Sequence, residues 1–222
     1  MFYEFRFYTL PAGRMADVRA RFRKSLPAIF ARHGIDNIGC WEAVSGSGGP
    51  LWVYAMRYPD LSERTRVWGG FYSDDEWWAV RAATNAGEEM VDRFALDFLQ
   101  ANRLDPRLAR LPSDGIHELR LIEQPVGRTS ESIEFIEKSY IPILSSHGAK
   151  LLLAADCVTG PRLPQTALLL HWETTEQQRE ASLEVAADPA LRAAFAEQRA
   201  QFRHALIGRS DAYLLQPVLA AT

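Results

Sequence analysis

Residues Tyr3–Arg14 read YEFRFYTLPAGR, and 114 positions later His117–Arg128 read HELRLIEQPVGR. Both place Glu and Arg two residues apart in a strand-like run that ends in Pro and then Gly-Arg. The same offset aligns His33-Gly34 with His147-Gly148, Tyr58 with Trp172 and Asp74 with Asp188. Pro27 and Pro142 depart from this register by one position, so one inserted residue enters the second copy and is reversed before its His-Gly pair. Separated landmarks in a single register mark a duplicated unit, and only two copies mark a paired domain rather than a solenoid.

Working outward, residues 2–10 alternate and are rich in Phe and Tyr, which predicts a strand. Pro11-Ala12-Gly13 is a turn. Val18, Phe22, Leu26, Ile29 and Phe30 recur at helical spacing, so residues 14–33 predict a helix. His33-Gly34 closes it, because Gly accepts the left-handed cap and His suits the negative end of the helix dipole. Residues 35–44 and 51–58 predict strands joined by the hairpin SGSGGP. Ser62 is expected to cap a short helix reaching Tyr72, and Asp74 or Asp75 a longer one. A fourth strand is expected near 95–101. The second copy predicts strands at 116–123, 149–158, 166–172 and 213–216. Its helices are expected at 130–147, at 175–185 and after Asp188-Pro189. Each copy therefore reads as a β-α-β-β-α-β, ferredoxin-like unit. The domains expected are 1–101 and 116–222, joined by a linker over 102–115.

Composition narrows the function classes. Hydrophobic residues make up 47% of the 222 residues, enough for a sizeable core, and the net charge is −3. An acidic chain without a basic face argues against a nucleic-acid partner. Arg19, Arg21, Arg23 and Lys24 read as the solvated side of a helix. Cys40 and Cys157 lie in no CxxC pattern and read as reduced strand residues. No apolar run approaches the roughly 18 residues of a membrane span, so no membrane partner and a cytoplasmic location are expected.

The segments YEFRFYTLPAGR, LPAIFARHG, WVYAMRY and FYSDDEWWAVR together resemble the NIPSNAP family, of the dimeric α+β barrel superfamily. The first copy matches closely over residues 2–100. The second matches more loosely and has VAADPAL in place of the aromatic FYSDDEWW. The resemblance implies an α+β fold in which two tandem ferredoxin-like halves pack sheet to sheet as a barrel with helices outside. It implies no established activity. Superfamily relatives include haem-degrading and quinone-forming monooxygenases and small isomerases, so fold alone does not choose a reaction.

Residue by residue, period 2 places Glu4, Arg6 and Tyr8 on one strand face and Tyr3, Phe5 and Phe7 on the other. The Phe face is expected to meet the helices. Glu4, Arg6, Glu118 and Arg120 are then expected as barrel-interior ion pairs where the halves meet, since buried charge needs a partner. His33 and His147 read as helix-terminal caps or, alternatively, as a general base at a pocket mouth. No Cys/His cluster has zinc-ligand spacing, so no metal and no cofactor are expected, although a single axial His leaves haem open. Trp77 and Trp78 are adjacent on one helix and about 100° apart, so one of them must leave the core. The lead expectation is a small hydrophobic or aromatic ligand held in the first half by His33, Trp41, Tyr54, Trp77 and Trp78. The enzyme alternative is a cofactor-independent monooxygenase or isomerase with His33 or Tyr54 as catalytic residue. A structural or interaction protein is the third alternative, and a homo-oligomer remains open.

Overall fold

The structure, a computed structural model, describes residues 1–218; residues 219–222 of the expected second domain lie outside the described residues. The chain divides into two units, one of residues 1–100 with the segment from Leu215, the other Ala101–Leu214.

The first unit runs β1 (Phe2–Thr9), α1 (Met15–Lys24), α2 (Leu26–His33), β2 (Asp36–Ser45), β3 (Leu51–Tyr58), α3 (Leu61–Tyr72), α4 (Asp75–Asn85) and β4 (Arg93–Ala101). Its sheet is antiparallel in the order β4-β1-β3-β2. The segment from Leu215 belongs here, where the Val218 N–H donates to Cys40 O at 2.8 Å. The single helix expected over 14–33 is two, broken at Ser25 with Pro27 in the first turn of α2. Proline lacks the N–H that a helix interior needs, but that donor is already orphaned in a first turn. Gly34 ends α2 at φ 72°, the left-handed conformation that costs other residues most. The α3 cap is Asp60, two residues earlier than the expected Ser62; its carboxylate accepts from the Glu63 N–H at 2.8 Å.

Strand register decides which face is which. Glu4 pairs with Met56, Arg6 with Tyr54 and Tyr8 with Trp52. Trp52, Tyr54, Met56 and Tyr58 pack with Phe22, Ile29 and Phe30 of α1–α2 and with Val67, Trp68 and Phe71 of α3. Each such side chain contributes roughly 1.5–3 kcal/mol of burial. The Glu4/Arg6/Tyr8 face therefore lies under the helices, opposite to expectation. Phe5 lies on the other face, where it stacks on Trp41 with centroids 6.1 Å apart. Alternation separates two faces but cannot rank them when both are buried, and residues 4–7 of β1 are buried on both.

The second unit runs β5 (Ile116–Glu123), α5 (Thr129–Phe135), a π turn (Ile136–Tyr140), α6 (Ile141–Ser146), β6 (Lys150–Cys157), β7 (Gln165–Trp172), α7 (Thr175–Ala187), α8 (Pro189–Phe202) and β8 (Ser210–Pro217), whose residues up to Leu214 lie in this unit. The order is β8-β5-β7-β6. The π turn lies just before Pro142, where the repeat carries its extra residue. A π turn is how a helix absorbs one inserted residue without losing its flanking register. Ile122, Leu168, Leu170 and Trp172 face α5–α8 and pack with Ile136, Leu144, Val185 and Leu191. No helix among the described residues is long and apolar enough to cross a membrane.

Candidate functional site

A polar cluster sits in the otherwise apolar layer between the sheet and helices of the first unit. Arg6 Nε donates to Glu4 Oε1 at 2.6 Å, and Glu4 Oε2 accepts from Arg64 Nε of α3 at 2.8 Å. One fully buried carboxylate thus serves two guanidiniums. The Arg6 Nη1 donates onward to the hydroxyls of Tyr54 and Tyr72, at 3.4 and 3.3 Å. The Arg6 guanidinium lies 3.7 Å from the centroid of the Trp68 ring, a cation–π contact. Tyr54 Oη and Tyr8 Oη are 2.5 Å apart and either can be the donor.

The electrostatics are one-sided. Burial, with Tyr8 beside it, holds the Tyr54 phenol well above the ordinary tyrosine range, so it stays protonated. Burial opposes the charge on Arg6, but the net direction is up, and beside the Glu4 carboxylate the guanidinium stays cationic. A neutral phenol and a guanidinium at one point can hold a developing or preformed oxyanion. The cluster grades from the fully buried Tyr54 to Tyr72, which is 47% exposed. Beside Tyr8, at a ring distance of 5.7 Å, lies the exposed Phe94.

The second unit keeps the ion pair and one phenol on its arginine, and lacks the strand pair of phenols. Arg120 donates to both oxygens of Glu118, at 2.6 and 3.1 Å, and to Tyr140 Oη at 2.6 Å. Trp172 Nε1 also donates to Glu118, at 2.9 Å. At the offset of 114, Tyr8 and Tyr54 become Ile122 and Leu168, both buried and apolar. All four charges expected to bridge the halves are therefore paired within their own strands beneath their own helices.

The expected ligand set does not converge. Trp41 lies on the sheet face opposite Tyr54, folded back over Gly39, where any larger residue would collide with its ring. His33 Nε2 lies 2.6 Å from Asp74 Oδ2. A carboxylate only accepts, so Nε2 carries the hydrogen. Asp74 also takes Arg32 and caps α4 through the Glu76 N–H at 2.8 Å. These donors hold its carboxyl below the ordinary range, His33 contributing most. His33 thus ties the end of α2 to the start of α4, and His147 repeats the tie with Glu184 at 3.0 Å and Asp188 at 3.7 Å. Trp77 packs on Phe71 with centroids 4.7 Å apart, whereas Trp78 is 46% exposed and donates to Tyr72 O. Among the described residues no three His, Cys, Asp or Glu side chains group to hold a metal.

Tyr8, Trp68, Tyr72 and Arg64 were missed as a set. Tyr8 alone was legible, since period 2 puts it beside Arg6. The other three come from α3, and no spacing in the sequence shows which helix turns lie over Arg6.

Residues 3–101 match the NIPSNAP family model. No curated protein matches the chain. An anthrone oxidase-like protein superposes with a TM-score of 0.60 at 11% identity, over 100% of this chain and 96% of its own. A candidate monooxygenase from Lactobacillus acidophilus NCFM superposes with a TM-score of 0.56 at 12% identity, over 100% and 95%. An uncharacterised NIPSNAP domain protein from Burkholderia xenovorans is 22% identical over 48% of this chain and 99% of its own, with a TM-score of 0.42. At these identities the two superpositions that span the whole chain describe the α+β fold and not the chemistry. The match to the NIPSNAP family model thus falls on the first unit, the one that carries the phenol cluster.

Proposed function

We propose that the first unit binds a small aromatic molecule bearing an acidic hydroxyl or enol, with Arg6, Tyr8, Tyr54 and Tyr72 as its polar contacts. The observation that carries this reading is the 2.5 Å Tyr8–Tyr54 hydroxyl pair on a buried Arg6, at positions where the second unit has Ile122 and Leu168. The fold does not need phenols there, so their presence calls for a ligand that uses them. The strand orders β4-β1-β3-β2 and β8-β5-β7-β6 support reading the units as ferredoxin-like copies of which only the first carries the site. Titration of 2-naphthol followed by tryptophan fluorescence tests the reading. Binding should weaken roughly tenfold in Tyr54→Phe, the loss of one hydrogen bond to an ionised group. Absence of binding, or binding in both Tyr8→Phe and Tyr54→Phe as tight as in wild type, sinks it.

A second reading makes the same site a cofactor-independent monooxygenase, supported by the guanidinium and phenol that would hold an enolate oxygen, and by the fold shared with an anthrone oxidase-like protein. The balanced reaction is anthrone plus dioxygen giving anthraquinone plus water. Dioxygen uptake with anthrone that is the same in wild type and in Arg6→Lys would overturn it.

A further inference from the structure

We propose that Arg21 and the Trp77 indole N–H form an oxyanion subsite in the first unit that takes a carboxylate on the bound aromatic ligand. The inference rests on the ligand reading above and adds the substrate class, an aromatic acid.

Arg21, on α1, is only 7% exposed, and among the described residues no carboxylate lies within salt-bridge distance of it. Its partners are neutral: Nε donates to Thr84 Oγ1 at 2.8 Å and Nη2 to Asn85 Oδ1 at 2.5 Å. The Arg21 guanidinium lies 5.7 Å from the Trp77 ring centroid. Trp77 Nε1 is itself shielded from solvent with no acceptor. A buried cation whose direct partners are all neutral and a buried N–H without an acceptor, in contact through one ring, both favour an acceptor that carries negative charge. Burial and the neighbouring Arg81 lower the Arg21 pKa, and although Tyr8 and Glu89 raise it the net direction is down, so the surroundings compensate its charge only in part. Trp77 packs on Phe71 and Phe71 on Tyr72, with centroids 4.7 and 5.3 Å apart, and Tyr72 accepts from Arg6, so a chain of ring contacts joins the subsite to the phenol cluster.

Part of this arrangement is structural, because Arg14 and Arg21 together satisfy the C-terminal end of α4. The duplicated unit shows that the packing does not require it. At the offset of 114, Arg21 and Arg81 become Phe135 and Phe195, whose rings lie 5.7 Å apart, and Trp77 becomes the buried Leu191. The second unit closes the same helix contact with apolar side chains. The first unit places there a buried guanidinium with neutral partners, a second guanidinium paired with Glu89, and an orphan indole, polar groups that an apolar pair would avoid.

The test compares 2-naphthol with 3-hydroxy-2-naphthoate, which adds only a carboxylate. Wild type should prefer the naphthoate roughly tenfold, one charge-assisted contact. That ratio should fall to near one in Arg21→Gln and in Trp77→Phe, which keeps the ring and removes the N–H. The double variant Arg21→Phe with Arg81→Phe, copying the second unit, should melt no lower than wild type and also lose the preference. Equal affinities in wild type, or a preference that survives both single variants, overturns the subsite while leaving the ligand reading intact. Binding of neither probe overturns the ligand reading and the subsite with it.

Discussion

The Glu4 carboxylate and the Arg6 guanidinium meet at 2.6 Å, two residues apart on one strand and both buried. Their pairing needs no partner strand, since residues i and i+2 share a face. What makes the pair unusual is its company: Arg64 on the second carboxylate oxygen, and tyrosine hydroxyls on the far side of Arg6.

Removing that carboxylate strands two guanidiniums. Glu4→Gln is expected to destabilise the fold by about 3–5 kcal/mol, the cost of breaking a buried pair from one side. Glu118→Gln should cost less, because Glu118 serves one guanidinium and an indole N–H. Urea denaturation of both variants checks the order; equal losses would show that Arg64 gains nothing from Glu4.

The Tyr8–Tyr54 contact should be worth far less to stability than to binding. Tyr54→Phe is expected to cost about 1 kcal/mol, a typical net hydrogen bond. Because Tyr8 is nearer solvent, Tyr8→Phe should cost still less. A loss of several kcal/mol in either variant, read from denaturant midpoints, would make the pair a structural element instead of a site.

His117 makes the second unit sensitive to acid. It stands directly across from His171 on β7, ring centroids 5.7 Å apart. Burial, helped by His171, lowers its pKa from 6.5 to about 4. Between those values the unfolded chain binds the extra proton and the folded one does not. Stability is therefore full above pH 6.5 and declines as pH falls toward 4, by on the order of 3 kcal/mol. Denaturation midpoints across that window should flatten in His117→Leu; an unchanged slope would assign the titration elsewhere.

Asp74 works in the opposite sense to a catalytic acid. Its carboxyl is held below the ordinary range by His33 and Arg32, so its stabilisation is present above the unfolded carboxylate pKa and fades as pH falls through the lowered folded value. Asp74→Asn keeps an acceptor for the α4 cap but loses the charge. At neutral pH it should lower the melting temperature by roughly 3 °C, and His33→Gln should give a similar shift without weakening 2-naphthol binding. Loss of binding in His33→Gln would return this histidine to the site.

The sequence by itself determined the strands, most of the helices and the placing of Glu4 beside Arg6 and Glu118 beside Arg120 on one strand face, because these depend on local periodicity. Gly34 as the left-handed cap was legible for that reason, and of Asp74 and Asp75, the two caps the sequence offers for α4, the structure uses Asp74. Tertiary structure alone decided which face of β1 meets the helices. Both faces are apolar enough to be buried, so alternation is symmetric to exchange, and only the register of β1 on β3 beneath α1–α3 breaks the tie. That choice moves Trp41 away from Tyr54, makes His33 a tether to Asp74, and brings Tyr8, Tyr54 and Tyr72 to Arg6 from one strand, its neighbour and a helix.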